Sequence, residues 1–208
     1  MHLVRTQFAV TPGGAGEFEA GIAKLGEMRK GQPGYLGQAL LHSYGSPHKY
    51  VVHSRWDNVE AVWAFNKSQI LPDLMKSTPA GLFTITNQEG FESVFEVDAD
   101  NAQAATSTCE VLADWTLNQA PGVFARFERT RREFFELRKK HVKGFVSNRL
   151  RRSADTPNRY LGIAIYTDVA AARAGLPPEV QVWAAAQPYT LYASTPPVLE
   201  TYHVVQRM

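Results

Sequence analysis

Four polar residues offer this chain a route to proton transfer. Asp114 and His203 fall on strands that the chain pattern makes neighbours. A carboxylate beside an imidazole raises its basicity and suits it to proton abstraction, with a plain salt bridge as the alternative. His53 and Arg55 share a face of one strand, opposite Arg5 and Gln7 on another, and could anchor an anion. Around them lie aromatic and apolar residues that could wall a pocket: Thr6, Phe8, Phe18, Ile22, Trp63 and Phe65 early in the chain, and Trp115, Phe124, Phe127 and Trp183 later. A water-poor aromatic pocket with a few polar groups suits a small apolar molecule and chemistry sheltered from water. Core packing is the competing role for each wall residue.

Other chemistries leave no trace. There is no P-loop and no GxGxxG, and Gly13-Gly14-Ala15-Gly16 lacks the following Lys-Ser/Thr of a phosphate cradle. No His, Cys or Asp spacing suggests zinc or iron, and no GxSxG occurs. The chain is therefore expected to need no cofactor. Its charge is uneven: residues 1–100 carry 8 basic and 11 acidic side chains, the rest 14 and 9. The basic excess collects in Ala125–Gly144, where Glu128, Glu133 and Glu136 interrupt it, so a solvated helix face is expected rather than a nucleic-acid surface. A single cysteine, Cys109, excludes an intramolecular disulfide and fits a reducing compartment as a buried thiol. No apolar run approaches membrane length, and the first ten residues lack a signal peptide's apolar core, so a cytoplasmic location is expected.

The elements that position these residues come in two copies. Pro33–Ala61 and Lys143–Ala171 match without a gap: Gly34/Gly144, Leu40/Leu150, Pro47/Pro157, Tyr50/Tyr160, Trp56/Tyr166 and Ala61/Ala171 all differ by 110. Each copy reads strand, helix, hairpin, helix, strand. Thr11-Pro12 is expected to start the first helix and Asn118 the longer helix of copy two. Gly45–His48 and Asp155–Asn158 turn the hairpins, and Asn58 and Asp168 cap the second helices. This predicts two domains, 1–98 and 106–208, joined by a polar linker within Asp98–Ala105. The order β-α-β-β-α-β is a ferredoxin-like split βαβ unit with helices on one sheet face only. The fold class is therefore α+β. Two tandem copies can bury their open faces together as one eight-stranded barrel, a pseudo-dimer within one chain that leaves further self-association open.

Three segments carry a family resemblance: Pro33-Gly34-Tyr35, Ser54-Arg55-Trp56-Asp57-Asn58, and Glu60-Ala61 through Phe65-Asn66-Lys67-Ser68. Copy two follows with Lys143-Gly144-Phe145 and Tyr166-Thr167-Asp168. The chain resembles the antibiotic biosynthesis monooxygenase superfamily, the dimeric α/β-barrel group that also holds small haem-degrading enzymes. The resemblance implies a cofactor-independent monooxygenase whose partners are a small aromatic or quinol-like molecule and O2, with no nucleic acid and no membrane. It also implies two alternatives, a non-catalytic ligand-binding or stress-related member and a haem-binding relative. The haem-holding Asn, Trp and His of the relatives fall on Thr6, Phe65 and about Met75, and none is kept. Copy one retains the fuller second helix, so the pocket is expected there, with His53 or Arg55 as anchor if that face turns inward. Asp114 and His203 in copy two are the competing location.

Overall fold

The computed structural model describes residues 1–100, 106–187 and 189–208. Most of the expected linker, residues 101–105, lies outside them. Copy one runs β1 (His2–Val10), α1 (Ala15–Lys30), β2 (Tyr35–Ser43), β3 (Lys49–Trp56), α2 (Val59–Asn66), α3 (Ile70–Ser77) and β4 (Phe83–Asp98). Copy two runs β5 (Cys109–Thr116), α4 (Val123–His141), β6 (Phe145–Ser153), β7 (Arg159–Tyr166), α5 (Val169–Arg173), α6 (Pro178–Ala185), a 3-10 turn at Tyr189–Leu191, and β8 (Val198–Arg207). The eight strands hydrogen-bond in the order β1-β3-β2-β8-β5-β7-β6-β4 and close into a barrel. This is the ferredoxin-like α+β architecture, with one chain supplying every strand.

The chain divides into two compact units, one of Met1–Phe91 with Val204–Met208, the other of Glu92–His203. Strands β4 and β8 therefore each begin in one unit and end in the other. In the first unit the end of β8 is held by paired backbone bonds, Gln38 N to Met208 O and Met208 N to Gln38 O, both 2.9 Å.

The duplicated motif has a physical reason. Gly34 and Gly144 adopt φ of +76° and +74°, the left-handed region that only glycine enters without strain. Each carbonyl accepts from the residue after its third strand: Asp57 N at 2.8 Å and Thr167 N at 2.9 Å. A Cβ on either glycine would meet the Cβ of Ala61 or Ala171, at 2.8 and 2.6 Å. Glycine and alanine thus recur together because the turn packs on the first residues of the next helix. Gly144→Ala should cost about 1–2 kcal/mol from backbone strain, before any clash. Chemical denaturation checks this, and an unchanged midpoint would show that the turn relaxes freely.

Both second-helix caps form as expected. Asn58 Oδ1 accepts from Ala61 N at 2.9 Å and Asp168 Oδ1 from Ala171 N at 2.8 Å. The first helices start later than expected. Thr11 does not cap α1; its Oγ1 donates to Leu82 O at 3.0 Å, and the helix begins after Gly14. Asn118 likewise gives way to Gly122 before α4, which at 19 residues exceeds the 16 of α1 by three. A Tyr–Glu pair recurs in each unit: Tyr50 Oη donates to Glu19 at 2.9 Å and Tyr160 Oη to Glu128 at 2.7 Å. Burial, with the carboxylate's help, pushes the Tyr50 phenol up to about 12. Cys109 is fully buried, and burial pushes its thiol up to about 11, so it is poorly reactive.

Candidate functional site

In the first unit, α1, α2 and α3 lie over β1 and β3 and leave a cavity of about 380 Å³. Even-numbered residues of both strands face it: Val4, Thr6 and Phe8 from β1, Ser54 and Trp56 from β3. The helices add Phe18, Ile22, Leu25, Phe65, Leu71 and Leu74. Aromatic edges fix the walls. Phe8 and Phe18 lie 5.0 Å apart by ring centroid, and Trp56 stands 5.3 Å from Phe65. Trp56 is 1% exposed, and its indole Nε1 donates to Ser54 Oγ at 3.2 Å.

Five of the six expected wall residues, Thr6, Phe8, Phe18, Ile22 and Phe65, do line this cavity. Trp63 does not. It sits on the outer face of α2, 56% exposed, while Val62 and Phe65 turn inward. The expected anchors are also displaced. His53 pairs in register with Arg5 on the sheet face opposite Ser54 and Trp56, and neither it nor Arg55 is part of the lining. Arg55 Nη2 instead donates to Leu36 O at 3.4 Å. In the second unit the Asp114–His203 pair does not form. β5 pairs Asp114 with Val198 and His203 with Cys109, five residues apart and so roughly 17 Å along the strand. Asp114 lies 3.9 Å from Arg159 instead.

Two cations of α1 reach the first cavity, the exposed Lys24 and, in the last turn, the more buried Arg29. Its Nη1 donates to Gln38 Oε1 at 2.9 Å, and its guanidinium lies 5.0 Å from the Phe65 ring centroid. Burial lowers its pKa to about 10, so it stays charged at neutral pH. The sequence disguises it: a basic residue in a last turn is expected for the helix dipole alone. The available signal was spacing, since Phe18, Ile22, Leu25 and Arg29 follow one helical stripe.

The second unit has its own cavity of about 540 Å³, walled by Trp115, Phe134, Phe135, Tyr166, Leu176 and Tyr189 among others. Two arginines of α4, Arg131 and Arg138, line it. The basic helix was expected to present a solvated face, and these two members turn inward instead, at 7% and 8% exposure.

Residues 1–76 match the family model for antibiotic biosynthesis monooxygenase. This segment is an antibiotic biosynthesis monooxygenase domain. Whole-chain structural likenesses agree with the domain's fold. A Fusobacterium nucleatum protein provisionally named a monooxygenase superposes with a TM-score of 0.75 at 13% identity, covering 99% of this chain and 93% of its own. A Lactobacillus acidophilus protein of the same provisional description gives 0.71 at 11%, covering 99% and 95%. An anthrone oxidase-like protein gives 0.63 at 12%, covering 100% and 92%. At these identities the likeness establishes the barrel and nothing finer. No curated protein matches the sequence. Thr6, Phe65 and Met75, the three residues weighed above for haem, all line the first cavity.

Proposed function

We propose that the first unit is a cofactor-independent monooxygenase acting on a small aromatic or quinol-like compound. The observation that carries this reading is the 380 Å³ cavity lined mainly by the family-matched segment, with Phe8, Phe18, Trp56 and Phe65 in its walls and the Arg29 guanidinium among its polar groups. An electron-rich phenolate supplies the electrons that O2 accepts. A methylene between aryl rings becomes a carbonyl, with one oxygen atom entering the product and the other leaving as water. Arg29 stabilises the phenolate and the negative charge that passes to dioxygen, at a fixed position and out of bulk water. Thr6 and Ser54 offer hydroxyls on the strand side, and Phe8, Phe18 and Phe65 exclude water.

Oxygen uptake with anthrone and naphthohydroquinone tests the reading. Arg29→Met should lower the rate about 100-fold, the usual loss for a charge-stabilising donor. Gly21→Leu should abolish it. Gly21 lines the cavity, and a Cβ there meets nothing within 4 Å, so leucine fills the space. The same change should raise helix stability by about 1 kcal/mol. Full activity in the filled variant would remove the cavity from the mechanism. Haemin should give no complex that survives gel filtration, because threonine, phenylalanine and an exposed methionine stand where the relatives hold haem. A Soret band at one haem per chain would reverse this.

A further inference from the structure

The two cavities are lined by matching helices of the two copies, and they differ in charge. The first helices of the copies align with an offset of 109: Glu19/Glu128, Phe18/Phe127 and Arg29/Arg138. The guanidinium–amide bond is kept, with Arg138 Nη1 donating to Asn148 Oδ1 at 2.9 Å as Arg29 does to Gln38. At the same offset Ile22 becomes Arg131. Copy two has thus placed a second guanidinium in the wall where copy one has an apolar side chain.

Neither arginine is neutralised by the protein. Among the described residues no acidic side chain lines the cavity, and neither Arg131 nor Arg138 forms an ion pair. Arg131 bonds the Tyr189 hydroxyl, yet the Nε of each arginine is buried without a hydrogen-bond partner. Both are packed by the same ring, the guanidinium carbons lying 4.4 and 5.4 Å from the Phe134 centroid. Burial lowers Arg131 to about 10, and burial together with Arg131's charge lowers Arg138 to about 9, so both remain cationic at neutral pH and repel each other. Buried unpaired charge is costly, and two like charges more so. A bound anion removes that cost. Guanidinium pairs suit the two oxygens of a carboxylate, and the rest of the wall suits an apolar body.

We propose that the second cavity binds a small organic carboxylate, its head held by Arg131 and Arg138 and its apolar body against Trp115, Phe134, Phe135 and Leu176. The site does not depend on the oxygenase reading, which concerns the other unit.

Calorimetric titration of the full chain with 2-naphthoate and its neutral isostere 2-naphthamide tests this. Naphthoate should bind at one per chain, and the amide at least tenfold more weakly. Arg131→Met and Arg138→Met should each weaken naphthoate at least tenfold. Without ligand, both variants should melt at or above the wild-type temperature, because each removes an unpaired buried charge. A merely structural arginine would do the opposite, so variants that melt well below wild type overturn the proposal. So do equal affinities for acid and amide, unchanged affinity in both variants, or no naphthoate binding by wild type. Loss of naphthoate binding in Gly21→Leu would place the ligand in the first unit and also overturn it. Oxygen uptake by the first unit is read separately, so failure of either reading leaves the other testable.

Discussion

Trp56→Ala should destabilise the protein by about 3–5 kcal/mol, the range for removing a large buried aromatic. The indole is 1% exposed at the end of β3 and packs between Tyr35, 5.2 Å away by ring centroid, and Phe65, at 5.3 Å. Val4, Leu25 and Val62 complete the cluster. Alanine would enlarge the neighbouring cavity rather than let the walls collapse, because β1 and β3 are fixed by continuous pairing from His2↔Trp56 to Ala9↔Lys49. Denaturant melts with constant slope measure the loss. A loss below about 1 kcal/mol would mean that the cluster closes over the gap.

Breaking the Arg5–Glu89 pair should have a comparable cost. The guanidinium is 1% exposed, lies 3.6 Å from Glu89 Oε2 and sits 5.1 Å from the Phe91 ring centroid. Removing one partner of a buried pair strands the other charge, typically at about 3–5 kcal/mol. Arg5→Met alone should show that cost, and Glu89→Leu added to it should recover most of it. Additive losses in the double variant would mean that the two side chains act independently.

The sequence makes the strands and second helices legible because their signals are local. Hairpin turns and the Asn58 and Asp168 caps span a few residues each, while the glycine–alanine contacts, 27 residues apart in sequence, show only because they recur in both copies. Helix α3 is not legible, since Pro72 looks like a breaker; at the third helical position it removes only an N–H that would lack a partner. The early part of β4, Phe83–Gly90, is hidden by its polar residues Thr84, Thr86, Asn87, Gln88 and Glu89. At the site, alternation groups Thr6 with Phe8 and His53 with Arg55 correctly, but it cannot say which group faces the helices. Trp63 lies one residue off the inward stripe of α2. The inward arginines are the larger omission. Arg131 and Arg138 continue the stripe of Phe127 and Phe134 at helical spacing, but charge alone makes a solvated face the default reading.

In a barrel assembled from two identical chains, every substitution appears twice, and both pockets must accept it. A single chain that supplies all eight strands is released from that rule. Position 22 can stay isoleucine while its counterpart 131 becomes arginine. Gly26 can stay glycine, where a Cβ would come within 2.3 Å of Met208 Sδ, while its counterpart Phe135 fills the other wall. Joining the copies end to end thus let one duplicated pocket acquire two different linings.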